Sequence, residues 1–295
     1  MNFAPTKPWS SLLSQVTPRI PKIIILNCLL TLYKGSLGPG PAVGPAKKLP
    51  AEFTLRDATL ISDWLEDCET NHAMCKQATY KLPACVLFVG SDDRLPHLYE
   101  SRNEEVRYTA LSHCWGAEEH RSPTTTNKSL AQRKEGIEWS ELPPTFADAM
   151  AVTRLLGIDY IWIDSLCIIQ DDADDWTRES TKMINVYQQA VLTISADGVL
   201  NSKAGLFHTV SQRATDEPKK MSWTNGSQEN ILYTRLTTVP PKSICIHSAA
   251  MSNIQDNPLR GRAWTLQEWL VSSRVVYFTK GELVWECKRF NRCEC

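Results

Sequence analysis

The sequence has no apolar run long enough to cross a membrane, because the stretch at 23–33 falls well short of the roughly 20 residues that a transmembrane helix needs. It also lacks an excess of charge of one sign. The 32 Lys and Arg residues against 33 Asp and Glu residues leave a net charge of −1. A general nucleic-acid-binding protein carries a strong basic excess, so we expect neither nucleic-acid binding nor membrane insertion.

Glycine is scarce, at 13 of 295 residues, and no internal repeat occurs at a fixed period. This excludes fibrous, low-complexity and solenoid proteins. The sequence also lacks a P-loop lysine motif, an H-E-x-x-H helix and a G-x-S-x-G turn. What it has instead is an excess of tryptophan and cysteine, with ten of each. The tryptophans predict a core anchored by bulky aromatic side chains.

The cysteines are too sparse for a disulfide scaffold in a chain of this length. Cys114 and Cys167 lie in apolar stretches, where cysteine usually packs as a small buried hydrophobe. A base near Cys167 would make it a nucleophile, but its apolar context favours the packing interpretation. The composition therefore favours a reduced, cytoplasmic protein, and the even number of cysteines leaves a disulfide-bearing one open.

The chain is predicted to begin with a poorly ordered leader over 1–50, because 34–50 is rich in glycine and proline. An N-terminal extension over 51–106 follows, with a helix at 55–69 and a strand at 86–90. We assign 107–278 to the main domain and 279–295 to a C-terminal strand and tail.

Within 107–196, short apolar strands alternate with amphipathic helices. This order is typical of an α/β fold, with a mainly parallel sheet flanked by helices on both faces. Right-handed crossovers then determine the local topology. The predicted strands are 107–115, 160–164 and 191–196, and the predicted helices are 142–157 and 176–190.

Residues 208–257 are polar and irregular, which predicts an insertion in the main domain. Weak strand signals within it occur at 231–236 and 243–249. Order returns with a helix over 262–273, and the apolar runs 274–278 and 283–287 then predict a C-terminal hairpin.

Four motifs in register resemble the fungal heterokaryon incompatibility (HET) domain. They are YTALSHCWG at 108–116, the segment from LPPTFADAM to LTISA at 142–196, GLF at 205–207 and RAWTLQEWLVSSRVVYF at 262–278. Upstream, WLEDCETNHAMC at 64–75 resembles the segment that often precedes this domain. The resemblance implies an effector of fungal non-self recognition and programmed cell death, with a distantly TIR-like fold.

The resemblance also implies partners. Members of the family are expected to act with an incompatibility partner protein, and adaptor TIR domains self-associate. A non-enzymatic, self-associating signalling module is therefore the alternative to an enzyme. Family members commonly continue well past the point where this sequence stops, which leaves open whether the C-terminal tail at 279–295 is truncated.

Enzymatic TIR domains cleave NAD at the nicotinamide glycosidic bond with a glutamate on a helix after a W-x-x-x-E-like stretch. The segment from Trp264 to Glu268 is similar. The resemblance thus implies NAD as substrate and Glu268 as the catalytic carboxylate, with Trp115 or Trp264 as an aromatic wall. Thr265 and Glu268 also match a capping box, so Glu268 alternatively satisfies the first amides of its helix.

Two predicted strands end in residues suited to ligand binding, since ligands bind at the carboxyl ends of parallel strands. Asp164 ends one of them, and its side chain either binds a ribose hydroxyl and positions a loop or caps the following turn. Ser112, Trp115 and Gly116 end the other. Gly116 is expected to allow a backbone turn, and Trp115 is either part of the core or a ligand contact.

A candidate metal site precedes the main domain. Cys68, His72 and Cys75 form a C-x3-H-x2-C pattern, and Cys85 is the candidate fourth zinc ligand. Because the spacing matches no standard zinc module, packed cysteines in a helical hairpin are the alternative.

Overall fold

The computed structural model describes residues 29–34, 53–77, 79–207, 219–225, 228–237, 258–279 and 283–294. The strands of the described part are β1 (Leu29–Lys34), β2 (Cys85–Phe88), β3 (His97–Glu100), β4 (Tyr108–Ser112), β5 (Tyr160–Ile163), β6 (Leu192–Ser195), β7 (Lys219–Asn225), β8 (Gln228–Thr237), β9 (Arg274–Phe278), β10 (Leu283–Cys287) and β11 (Asn291–Cys293). The α-helices are α1 (Leu55–Asn71), α2 (Asn127–Glu135), α3 (Pro144–Leu155), α4 (Asp164–Cys167), α5 (Ala173–Ser180), α6 (Met183–Gln189) and α7 (Ala263–Val271).

Eight strands form one mixed sheet in the order β11-β10-β9-β6-β4-β5-β2-β3. The central strands β9, β6, β4 and β5 are parallel, as the alternating pattern predicts. The outer strands on both sides pair antiparallel, so the expectation of a mainly parallel sheet holds for the centre only. The predicted C-terminal hairpin is confirmed as the pair β9–β10.

Side-chain alternation along β4 places helices on opposite faces of the sheet. The Tyr108 hydroxyl donates to the carbonyl of Val186 in α6 at 2.6 Å. The next residue, Thr109, points to the other face and shares a 2.7 Å hydrogen bond with Thr153 of α3. Because every residue of β4 is buried, the strand is covered on both faces, which explains its continuous apolar character.

The core contains some of the tryptophans, and the others lie nearer the surface. Trp64, Trp162 and Trp285 are buried, and the rings of Trp64 and Trp285 lie 6.1 Å apart between α1 and β10. Trp176 and Trp264 are about half exposed, at 47% and 49%. The expectation of a tryptophan-anchored core is therefore right for the first group and wrong for the second.

The helix predicted over 176–190 is two helices, α5 and α6, separated at Thr181 and Lys182. The hydroxyls of Ser180 and Thr181 donate to the carbonyls of Thr177 and Arg178, and such local bonds compete with the helix ladder. Two other helices agree closely with prediction, since α1 contains 55–69 and α3 lies within 142–157.

A second sheet joins regions that are distant in sequence. β1, from the predicted leader, pairs antiparallel with β8, and β8 pairs antiparallel with β7 inside the predicted insertion. β8 contains the weak strand signal at 231–236, whereas the signal at 243–249 lies outside the described residues. None of the helices in the described ranges combines the length and the apolar character that crossing a bilayer requires.

Candidate functional site

The carboxyl ends of the parallel strands carry a group of polar side chains. Ser112 ends β4, Asp164 directly follows β5, and Ser195 ends β6, with Asp197 two residues further on. Side-chain alternation directs Ser112 toward the face that carries α6 and α7, the same face as Tyr108. Ser112 and Asp164, the candidates predicted at two of these strand ends, thus lie at the ends of adjacent parallel strands.

Glu268 of α7 lies against the end of β4. Its Oε2 accepts a hydrogen bond from the hydroxyl of Ser112, and the residue is buried. The helix begins at Ala263, so Glu268 is in the second turn, beyond the capping position. Thr265 donates its hydroxyl hydrogen to the carbonyl of Leu259 at 2.9 Å. The alternative interpretation of Glu268 as a helix-capping residue is therefore wrong.

Burial raises the pKa of Glu268 from its ordinary value of 4.5 to about 7. The hydrogen bond from Ser112 opposes this rise, and the negative charge of Asp164 adds to it. Arg262 and the hydroxyl of Tyr187 also favour the ionised form. A carboxyl group held in this way exchanges its proton near neutral pH, which is common at functional sites.

Asp164 fixes the neighbouring tryptophan and its own turn. Its Oδ2 accepts a hydrogen bond from Nε1 of Trp115 at 2.7 Å, and its Oδ1 accepts from the backbone amide of Ser165 at 2.7 Å. The Asp164 carboxylate therefore contacts the turn after β5, in keeping with one of the two roles expected for it. Trp115 is half-buried and tied to a carboxylate, so it is not simply part of the core.

Gly116 provides the turn that carries Trp115 away from the sheet. Its φ is +82°, a value that glycine adopts without strain. A Cβ at this position would lie 2.5 Å from the carbonyl oxygen of His120 and 2.8 Å from Cβ of Asn201. Gly116 lines neither of the clefts described below, and the expectation that it allows a backbone turn is confirmed.

His113 lies beneath the site as a neutral ring. Burial lowers its pKa, although the charge of Asp164 acts in the opposite direction. Its Nδ1 lies 3.6 Å from Oδ1 of Asp164, longer than a hydrogen bond. The ring packs edge-on against Phe146 of α3 at 4.9 Å, and its backbone carbonyl accepts a hydrogen bond from Arg262. Arg262 is thereby held at the rim of the site.

Two clefts meet at Glu268. The first, which we call the serine cleft, has a volume of about 170 Å³ and is lined by Ser112, Thr193, Ser195, Asp197, Thr265, Leu266, Glu268, Trp269, Val275 and Tyr277. The second, the tryptophan cleft, has a volume of about 190 Å³ and is lined by Trp115, Asp164, Ile168, Gln170, Trp176, Ser180, Met183, Arg262, Trp264 and Glu268. Glu268 therefore lies between a cleft lined by Ser112, Ser195 and Asp197 and a cleft walled by tryptophans.

Sequence reasoning missed several residues that line these clefts. Asp197 follows β6 just as Asp164 follows β5, so the strand-end rule would have found it. Trp176 matched the apolar face of a predicted helix, and nothing in that pattern distinguishes a cleft wall from the core. Arg262 begins the motif at 262–278, but the motif assigns it no role, and its position at the site becomes evident only from its bond to His113.

The other candidates lie apart from the clefts. The Cys167 thiol is buried, and burial raises its pKa far above the ordinary value, so it is poorly suited to act as a nucleophile. Cys85 lies half-buried in β2. The other three proposed metal ligands do meet, and Cys287 rather than Cys85 lies beside them.

Fold and site together define an α/β protein with a buried carboxylate at the carboxyl ends of parallel strands. The family model described as heterokaryon incompatibility protein (HET) matches residues 108–268, more than half of the chain, so this chain belongs to the HET family. Membership supports a function in heterokaryon incompatibility. Comparisons with curated proteins and with solved structures give no match.

Proposed function

We propose that this chain is a HET-domain effector that hydrolyses the nicotinamide glycosidic bond of NAD, with Glu268 as the catalytic carboxylate. The observation that carries the proposal is the position of Glu268, buried between two clefts with a pKa of about 7. A TIR-like mechanism, expected from the sequence resemblance, is compatible with this position.

The chemistry requires little more than a positioned carboxylate and a shielded ring. Water adds to C1′ of the ribose, the bond from C1′ to the pyridinium nitrogen breaks, and neutral nicotinamide leaves with the bonding electrons. A proton is released, and ADP-ribose is the second product. Because positive charge builds up on the ribose in such a transition state, an adjacent carboxylate stabilises it.

The two clefts suit different parts of the dinucleotide. Each is smaller than the roughly 300–1,000 Å³ of a typical ligand pocket, so each fits one portion of the molecule. In the tryptophan cleft, Trp115 and Trp264 provide flat apolar surfaces for the nicotinamide ring. In the serine cleft, Ser195 and Asp197 provide hydrogen-bonding groups for ribose hydroxyls. Glu268 lies between them, where C1′ would be placed.

The test compares NAD consumption by the purified full chain and by the Glu268→Gln variant. We expect the variant to lose at least about 100-fold in kcat, because the amide cannot stabilise positive charge as a carboxylate does. Glu179→Gln is the matched control, since Glu179 is also a buried glutamate but is ion-paired with Lys182 at 2.9 Å and lines neither cleft. Equal NAD loss with and without the Glu268 carboxylate would remove the catalytic role.

A second candidate function is non-enzymatic self-association, and the exposed face of α7 favours it. Leu266 and Leu270 are one helical turn apart and are 58% and 62% exposed. Exposed apolar patches of this kind mark association sites. Sedimentation of the full chain with and without Leu270→Asp tests the idea, with Leu155→Asp at the end of α3 as the surface control. A monomer at all concentrations would rule it out.

Either activity serves the same proposed role. We propose that the chain acts in the cytoplasm of a fungal cell, where an incompatibility partner triggers non-self recognition and cell death. Loss of NAD would kill the cell directly, whereas self-association would recruit another effector. Expression of the wild type and of Glu268→Gln in a fungal host separates the two, because only the enzymatic route requires the carboxylate.

A further inference from the structure

A second cluster of reactive side chains lies outside both clefts. It contains Cys68, His72, Cys75 and Cys287, and all four residues are buried. One potential ligand atom from each residue lies within 4.8 Å of the corresponding atoms of the other three. These residues all fall outside the region 108–268 that matches the family model.

The local fold explains how three of these residues meet. Cys68 lies in the last turn of α1, and His72 is the residue at which the helix ends. A single 3-10 turn then follows, and the amide of Cys75 donates to the carbonyl of His72 at 3.0 Å. The C-x3-H-x2-C spacing therefore brings Cys68, His72 and Cys75 together at the end of one helix.

The fourth residue comes from the opposite end of the chain. Cys287 ends β10, and its Sγ lies 3.6 Å from Nδ1 of His72 across 215 positions of sequence. The imidazole also packs edge-on against Phe290 at 4.6 Å, which fixes the plane of the ring. The packing of the fold therefore places the imidazole nitrogen of His72 next to the sulfur of Cys287.

We propose that Cys68, His72, Cys75 and Cys287 bind one structural Zn²⁺ ion. Structural zinc sites take four Cys or His ligands in a tetrahedron, with Zn–S bonds of about 2.3 Å and Zn–N bonds of about 2.0 Å. Ligand atoms in such a tetrahedron lie about 3.5–3.8 Å apart, so small side-chain rotations bring this group onto an ion. Because protein atoms fill all four positions and the group is buried, the role is structural rather than catalytic.

The charge around the cluster supports this assignment. Zinc displaces three thiol protons, so the complex of three thiolates, one neutral imidazole and Zn²⁺ carries a net charge of −1. Arg274 is a fully buried cation whose Nε lies 3.3 Å from Sγ of Cys68. Its other bonds go to the carbonyls of Cys75 and Val191, at 2.8 and 3.1 Å. Arg274 thus places its positive charge beside the thiolates that zinc binding creates.

Zinc at this position would tie the N-terminal extension to the C-terminal hairpin. The same two regions are joined by the contact of Trp64 with Trp285 and by an ion pair between Asp67 and Arg292 at 2.5 Å. A metal link between elements far apart in sequence contributes strongly, because it closes a long loop. This proposal does not depend on the proposed enzymatic activity.

Metal analysis of the full chain, purified without chelators and dialysed against metal-free buffer, tests the site. We expect one zinc per chain in the wild type and a fall to below about one-tenth of that content in Cys287→Ser. Cys85→Ser is the matched control, because Cys85 lies in β2 outside the cluster, and we expect it to retain its zinc. Cys287→His supplies another zinc ligand and should restore binding.

A second measurement applies if the ligand variants do not fold. Replacement of zinc by Co²⁺ in the wild type should give the intense visible bands of tetrahedral cobalt and a thiolate charge-transfer band. Wild-type protein that is folded and fully reduced but contains no zinc and gives only weak octahedral cobalt bands would overturn the proposal. So would a disulfide within the cluster, or loss of zinc from Cys85→Ser equal to that from Cys287→Ser.

Discussion

The hydroxyl of Ser112 donates a hydrogen bond to the carboxylate of Glu268, which joins the end of β4 to α7 across 156 positions of sequence. The bond orients the carboxylate toward the two clefts and partly compensates for its burial. Because the pKa of Glu268 is raised to about 7, the site changes its charge near neutral pH. This relationship governs the first three predictions.

We expect kcat/KM for NAD cleavage to rise with pH through about 7. In the proposed mechanism the reactive form of Glu268 is the carboxylate, which predominates only above its raised pKa. Initial rates measured between about pH 5 and pH 9 would show a single ionisation on the acidic limb. A profile that is flat through pH 7 while the protein stays folded would contradict this assignment.

Ser112→Ala should move that ionisation to higher pH. The hydroxyl favours the ionised carboxylate, and a hydrogen bond to a charged group contributes about 1.5–3 kcal/mol. The expected displacement of the acidic limb is therefore about one pH unit or more. The matched control is Ser122→Ala, since Ser122 is a buried serine that bonds to Ser202 and lines neither cleft. A limb at the same pH in all three proteins would exclude a role for Ser112.

Glu268→Gln should stabilise the folded chain at high pH. Below pH 4.5 the carboxyl is protonated in both states, so the substitution has little effect there. Between pH 4.5 and about 7 the folded state keeps a proton that the unfolded state loses, so the wild type loses stability as pH rises. Above pH 7 the loss reaches about 3 kcal/mol.

Urea denaturation of both proteins at about pH 4 and pH 8 measures this difference directly. The gain in the variant should be present at the higher pH and small at the lower one. A variant that is less stable than the wild type at the higher pH would show that the ionised carboxylate stabilises the fold.

Trp115→Phe should loosen the tryptophan cleft while keeping an aromatic wall. The phenylalanine ring retains the apolar surface but cannot donate to Asp164, where Nε1 lies 2.7 Å from Oδ2. We expect a loss of about 1–2 kcal/mol in the free energy of unfolding, measured by chemical denaturation. Trp139→Phe, at a tryptophan that lines neither cleft, should be nearly neutral. Equal losses at both positions would mean that the indole hydrogen bond contributes nothing.

Gly116→Ala should destabilise the protein more than Gly157→Ala. Both glycines have a positive φ, +82° and +68°, which costs an alanine about 1–2 kcal/mol. Only at Gly116 does the added Cβ also collide with a backbone carbonyl, at 2.5 Å from His120, whereas nothing lies within 4 Å at Gly157. Thermal unfolding of both variants separates the cost of the positive φ from the cost of the steric clash. Equal melting temperatures would show that the turn at Gly116 rearranges to relieve the clash.

Local patterns predicted the centre of this fold well. The apolar run containing Tyr108 and the run YIWI that precedes Asp164 form adjacent parallel strands. Both were recognisable in the sequence because a strand covered on both faces is apolar throughout. The same reasoning located Asp164 and Ser112, since parallel strands end at the same edge of the sheet. These features depend on short stretches of sequence and on one general rule of topology.

Long-range partners could not be predicted in this way. The capping-box pattern of Thr265 and Glu268 is purely local. In the folded chain the carboxylate of Glu268 instead accepts a hydrogen bond from Ser112, 156 positions away in sequence. Cys287 is likewise separated from His72 by 215 positions, while Cys85 is nearer in sequence and lies elsewhere. Spacing identifies neighbours along the chain, but side chains that meet through the packing of distant elements require the folded structure.

The parallel centre of the sheet has a practical consequence for dividing the chain. The region that matches the family ends at residue 268, inside α7, but the neighbour of β6 on one side is β9, which starts at Arg274. A fragment cut to 108–268 would leave β6 as an edge strand, with four buried residues and unpaired amides exposed to other molecules. Such edges recruit strands from other chains. Aggregation of that fragment would therefore result from the loss of β9 and would reveal nothing about self-association of the intact protein.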